Sequence, residues 1–272
     1  MFCGFSKFYL NPNKLISGLI KKMAIKTSLL VAFTLVFCAF VKAQPTSRIV
    51  GGKDADIGQF PYQIVLYKDG SFTCGGSIIS SRYVLTAAHC VVIGDGIETL
   101  PGEYFTVRMG SIQRMAGGKI MQVKKVTVRK TYGNFLDDVA LLELEDEIKF
   151  TKNIQKIDLF DGVVPNNASV TISGWGRLTT GGKTPQRLQY NTLTKLDPSK
   201  CEETIGYGTD QILCLAHSKN NGACNGDSGG PATYDGKLVG VAGFVVDGCG
   251  SNYPDGYANV SYHRKWILEN MK

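Results

Sequence analysis

Histidine is scarce in this 272-residue chain: there are three, His89, His217 and His263. No two of the eight cysteines stand in CxxC spacing. A zinc site needs about four nitrogen or sulfur donors brought together, commonly at short intervals, so these shortages argue against one. Long apolar runs are also missing. The run at 29–41 has 13 residues, short of the ~18–20 that cross a bilayer. Lys26 precedes it, and Val41 and Ala43 follow as a small-residue cleavage pattern. This is the layout of a secretory signal peptide over 23–43, cut after Ala43, and it implies secretion with no membrane attachment of the mature form. Residues 1–22 read as an N-terminal extension from an upstream start. There is no internal repeat, low-complexity tract or linker rich in Pro, Gly or Ser, so one compact unit is expected after residue 48.

Acidic residues are absent from the first 48 positions, which carry six lysines and Arg48. That segment accounts for the whole formal charge of +7. The remainder is balanced, and the case for a nucleic-acid partner leaves with the precursor segment. A local basic stretch does persist, with Arg108, Arg114, Lys119, Lys124, Lys125, Arg129 and Lys130 and no acid over 105–136. A solvated strand face is the preferred reading; an exosite for acidic partners is the rival.

Cys3 and Cys38 fall in the segment expected to be removed. The other six, Cys74, Cys90, Cys201, Cys214, Cys224 and Cys249, form an even set behind a secretory signal, which points to disulfides, with fifteen pairings possible. Between the cysteines lie short runs such as YQIVLYKDG, YFTVRMG, VALLELE and SVTISGWG, rich in Val, Ile, Thr and aromatics and punctuated by Gly, Asn and Asp. Many short strands without alternating helices predict an all-β antiparallel sandwich or barrel. One helical pattern stands out, YHRKWILENMK at the C-terminus.

The stretch GACNGDSGGP, residues 222–231, holds a serine among four glycines. A serine hydroxyl becomes a nucleophile when an imidazole takes its proton and a carboxylate orients that imidazole. His217 sits in a polar loop, LAHSKN, and His263 among charges in the terminal helix. His89, in LTAAHC at the end of an apolar run, is the candidate base. Asp138 opens the apolar run DVALL as a buried carboxylate would, whereas Asp137 reads as solvated.

RIVGG (48–52), TAAHC (86–90), DVALL (138–142), SGWG (173–176) and GDSGGP (226–231) together resemble the chymotrypsin-like serine proteases, in that family's order His, Asp, Ser. The resemblance covers 49–272 and implies two six-stranded antiparallel β-barrels, the active site between them, and a C-terminal α-helix. It implies Ser228 as nucleophile, His89 as general base, Asp138 as its orienting acid, and the amides of Gly226 and Ser228 as oxyanion hole. It further implies the disulfides Cys74–Cys90, Cys201–Cys214 and Cys224–Cys249. Activation is implied by cleavage after Arg48, at the end of a propeptide over 44–48. The new ammonium of Ile49 would then pair with Asp227. The implied partners are protein or peptide substrates, a trypsin-like activator and protein inhibitors; a monomer is expected. No metal or cofactor is expected, and 108–123, beyond the place where calcium-binding relatives carry acidic ligands, has no Asp or Glu.

The specificity pocket is expected at Gly222, Ala223, Phe244, Val245 and Asp255. Gly222 stands where trypsin-like members have aspartate, while Asp255 stands where many have glycine. Insect digestive chymotrypsins and crustacean collagenolytic proteases look similar in this respect. Gly243 lacks the hydroxyl that commonly bonds the catalytic aspartate, and Val245 narrows the pocket rim. Cleavage after Leu, Met or Phe, with Arg secondary, is the expected preference, and the absence of a preceding regulatory domain suggests digestion. Two other readings are an inactive homologue serving as a binding module and a narrow-specificity immune or venom protease. Asn167 and Asn259 head glycosylation sequons, the first loop-like and the second strand-like.

Overall fold

The computed structural model describes residues 49–94 and 96–272. The signal peptide, the propeptide with Arg48, and Cys3 and Cys38 lie outside the described residues. Six strands close the first barrel: β2 (Gln63–Lys68), β3 (Ser71–Ile78), β4 (Tyr83–Thr86), β5 (Phe105–Met109), β6 (Lys119–Val128) and β7 (Ala140–Leu144), in the order β2-β3-β4-β7-β6-β5. The second contains β8 (Ser169–Gly174), β9 (Gln189–Lys195), β10 (Ile212–Ala216), β11 (Pro231–Tyr234), β12 (Lys237–Phe244) and β13 (Asp255–Asn259), in the order β9-β10-β13-β12-β11-β8, and the β8–β9 pairing closes it. A two-residue strand, β1 (Lys53–Asp54), adds to β9. All these ladders are antiparallel.

Local chemistry sets the hairpins. Asp69 and Gly70 join β2 to β3 with φ of 49° and 72°, and Asp235 and Gly236 join β11 to β12 with φ of 50° and 68°. Two successive left-handed residues are what a tight hairpin turn needs to match strand twist, and Asp-Gly supplies them at low cost. Period-two alternation sets the barrel interior: Phe105, Val107 and Met109 on β5 point inward and are buried, with Thr106 and Arg108 between them partly exposed.

Two helices complete the described residues. The C-terminal one, α2 (Val260–Asn270), is the predicted helix, and Val260 and Ile267 are buried in the core shared with the first barrel. The other, α1 (Pro198–Ile205), was not anticipated from the sequence. Its ends follow ordinary rules: Asp197 caps the N-terminus by accepting from the Ser199 N–H at 2.9 Å, and Gly206 closes it with φ of 73°.

Where the barrels meet, backbones touch. The Gly75 N–H on β3 donates to the Ser228 carbonyl at 2.8 Å. A Cβ on Gly229 would lie 2.1 Å from Thr86 Oγ1, and φ there is +74°. Glycine is therefore required at 229, both to turn the chain and to let it press against β4.

Candidate active site

β4 ends in a single 3-10 turn, Ala88–Cys90, that carries His89. The Cys74–Cys90 disulfide ties this turn to β3. The His89 backbone N–H donates to Asp138 Oδ1 at 2.9 Å, and Nδ1 lies 2.7 Å from Asp138 Oδ2. Asp138 is 1% exposed, just before β7. A carboxylate accepts, so Nδ1 carries the hydrogen, and the neutral ring then keeps its lone pair on Nε2. His89 and Ser228 line one cleft of about 330 Å³, together with Ala223, Phe244, Val245 and Gly256.

Asp227, beside the serine, is 3% exposed. It accepts from the Gly176 N–H at 2.7 Å and the Cys224 N–H at 3.0 Å. Cβ atoms on Gly174 or Gly176 would come within 2.1 and 2.3 Å of its carboxylate, so SGWG is the room made for Asp227. Burial pushes Asp227 up to about 7 despite those amides, and the charge of Asp255 adds to the rise. Ile49 is buried in the core of the second barrel, in the same cluster as Ala223. Gly226 has φ of +99°. Among the described residues, no intramolecular acceptor takes the Gly226 or Ser228 N–H.

The disulfides Cys201–Cys214 and Cys224–Cys249 are present as well. Cys74 and Cys90 have sulfurs close to His89, but their mutual bond leaves no thiolate for a metal.

Several residues stand elsewhere than expected. Asp137 is buried and paired: Arg129 Nε lies 3.1 Å from its Oδ1, and His263 Nδ1 lies 3.6 Å away. His263 is fully buried, and burial pushes it down to about 4, against the opposing charge of Asp137. The His217 side chain is also buried, 3.2 Å from Asp255. Gly222 and Asp255 are not among the cleft-lining residues, whereas Ala223, Phe244 and Val245 are. Gly243 lines the cleft too, and a Cβ there would stand 3.6 Å from Asp138 Oδ2.

The basic stretch is largely engaged. Arg129 holds Asp137, Lys124 holds Glu143 at 3.0 Å, and Arg114 lies over the Phe72 ring at 4.9 Å. Asn167 is exposed. Asn259 caps α2 and donates to the Asp210 carbonyl, so its side chain is occupied. Sequence reasoning passed over Phe135, whose ring stands edge-on 6.0 Å from His89 and 5.2 Å from Phe244. An aromatic three residues before Asp138 was the available signal.

The family described as Trypsin matches residues 49–267. "Serine protease SP24D" of Anopheles gambiae is 44% identical over 226 residues, covering 83% of this chain and 82% of its own. "Trypsin delta" of Drosophila erecta is 37% identical, covering 84% and 90%. Among solved structures, mouse neuropsin, a serine protease expressed in the limbic system of the brain, superposes with a TM-score of 0.73 at 26% identity, covering 81% of this chain and 99% of its own. With two closed barrels and a cleft that holds His89 and Ser228, the family match and the serine protease relatives make the chain a serine endopeptidase, a hydrolase acting on proteins. The chain belongs to the trypsin family, and its similarity to insect members agrees with the resemblance seen in the sequence.

Proposed function

We propose that Ser228, His89 and Asp138 form the catalytic triad of a secreted digestive zymogen with an apolar P1 preference. The observation that carries this reading is the buried Asp138, bonded to His89 in the cleft that also holds Ser228. Ser228 Oγ attacks the scissile carbonyl carbon while its proton passes to His89 Nε2. The carbonyl oxygen becomes an oxyanion against the N–H groups of Gly226 and Ser228, and loss of one such donor costs about 2.7–4 kcal/mol. Collapse expels the amine, which takes the proton from His89, and leaves an acyl-enzyme. Water attacks this ester and gives a proton to His89, and the imidazolium returns it to Ser228 Oγ as the C–Oγ bond breaks and the acid departs.

Three disulfides suit an extracellular protein, and no helix among the described residues is long and apolar enough to cross a membrane. Cleavage after Arg48 would free the Ile49 ammonium. A buried carboxylate displaced this far from its ordinary range is the partner such a cation would stabilise. Val245 at the rim and Ala223 in the lining favour medium apolar side chains such as Leu, Met or Phe. The test is to activate the full chain with trypsin, label it with a fluorophosphonate, and profile P1 with a peptide library. Labelling of wild type but not Ser228→Ala supports the triad, and dominant cleavage after Lys or Arg refutes the preference. Rapid degradation of denatured casein supports a digestive enzyme over a narrow one.

A further inference from the structure

The cleft chemistry leaves one buried pair unused. Asp255 opens β13 opposite Leu215 of β10, and His217 follows two residues after Leu215. That register brings the imidazole to the carboxylate: His217 Nε2 lies 3.2 Å from Asp255 Oδ1, and the Ala223 N–H donates to Oδ2 at 2.7 Å. The two side chains are 0% and 2% exposed. A Cβ on Gly222 would lie 2.6 Å from Asp255 Oδ2 and 2.7 Å from His217 Nε2, at a φ of +105°. The pair thus fills the space that a side chain at 222 would need, and each carboxylate oxygen has a donor.

An anion buried without such donors would seek a cation, and a P1 lysine or arginine would supply one. We propose that His217 is a specificity-determining positioning residue, holding the Asp255 carboxylate behind the pocket floor so that the floor presents no anion to the P1 side chain. The inference rests on the apolar P1 reading above. The titration of both groups agrees with mutual pairing. Burial works to lower His217, but the hydrogen bond and charge of Asp255 outweigh it and hold the imidazole above its ordinary range. Burial also raises Asp255, against the opposing pull of His217 and the Ala223 amide.

The experiment compares activated wild type, His217→Ala, His217→Gln and His217→Ala/Asp255→Asn, with active sites counted by a fluorophosphonate. The readout is the ratio of kcat/KM on matched peptides with P1 Arg and P1 Leu. His217→Ala should raise the Arg-to-Leu ratio about tenfold or more, because Asp255 then lacks its donor. His217→Gln, which keeps an N–H donor, should stay within about threefold of wild type, and the double variant should lose the gain. An unmoved ratio in titratable His217→Ala overturns the inference while leaving the apolar preference standing; a wild type that prefers Arg overturns both. Should His217→Ala fail to fold, inhibition of the wild type by benzamidine and its neutral isostere benzamide decides. Benzamidine binding at most about threefold tighter supports the inference, and a margin beyond about tenfold overturns it.

Discussion

Asp227 in the uncleaved chain should act as a stored instability that cleavage after Arg48 removes. Its carboxyl is pushed up to about 7 by burial, so charging it there costs about 4 kcal/mol relative to an ordinary carboxylate. A group raised on folding contributes its stability below its unfolded value, near pH 4, and loses it as pH rises through the folded value. The uncleaved chain should therefore weaken between about pH 4 and pH 7. The cleaved chain, with the Ile49 ammonium beside Asp227, should not. For a domain of this size, about 4 kcal/mol corresponds to a Tm difference of about 8–16 °C. The assay is scanning calorimetry of Ser228→Ala, which cannot digest itself, before and after trypsin cleavage at pH 4.5 and pH 7.5. Asp227→Asn should abolish the pH step in the uncleaved form. Cleaved and uncleaved Ser228→Ala melting within about 2 °C of each other at pH 7.5 would refute the reasoning.

Arg48→Gln treated with trypsin should fold, shown by a cooperative melt, yet retain under about 1% of wild-type kcat/KM, since a buried Asp227 left without the Ile49 ammonium costs about 3–5 kcal/mol. Gly243→Ser should raise kcat/KM by about tenfold or more, because a hydroxyl there would come within reach of Asp138 and a hydrogen bond to a charged group is worth about 1.5–3 kcal/mol. Its Cβ would stand 3.1 Å from the Gly256 carbonyl, a tight but movable neighbour. Steady-state kinetics check this, and a loss of activity at unchanged Tm contradicts it. Gly229→Ala should lower stability by about 3 kcal/mol or more by urea titration, from its positive φ and the clash with Thr86.

Much of the fold was legible because its signals are local. YFTVRMG and SVTISGWG read as strands from their composition alone, and the Asp-Gly turns at 69–70 and 235–236 carry a signal of the same local kind. The even cysteine set predicted disulfides, while their pairing was known only from the resemblance until the structure joined them. Helix α1 escaped because it has eight residues and buries only Cys201, so it shows little apolar periodicity. His89, Asp138 and Ser228 stood out as candidates because each sits in a distinctive word of sequence.

The sequence by itself determined the strand runs and the terminal helix and singled out the candidate catalytic residues, since each is written in a few neighbouring positions. Tertiary structure alone decided which polar residues lose their water. Asp137 looked like a surface neighbour of Asp138, but Arg129 and the C-terminal helix cover it. His217 looked like loop, and Asp255 like pocket wall, until the β10–β13 register set one against the other. Burial and pairing depend on strands distant in the chain lying side by side, and no single stretch of residues carries that information.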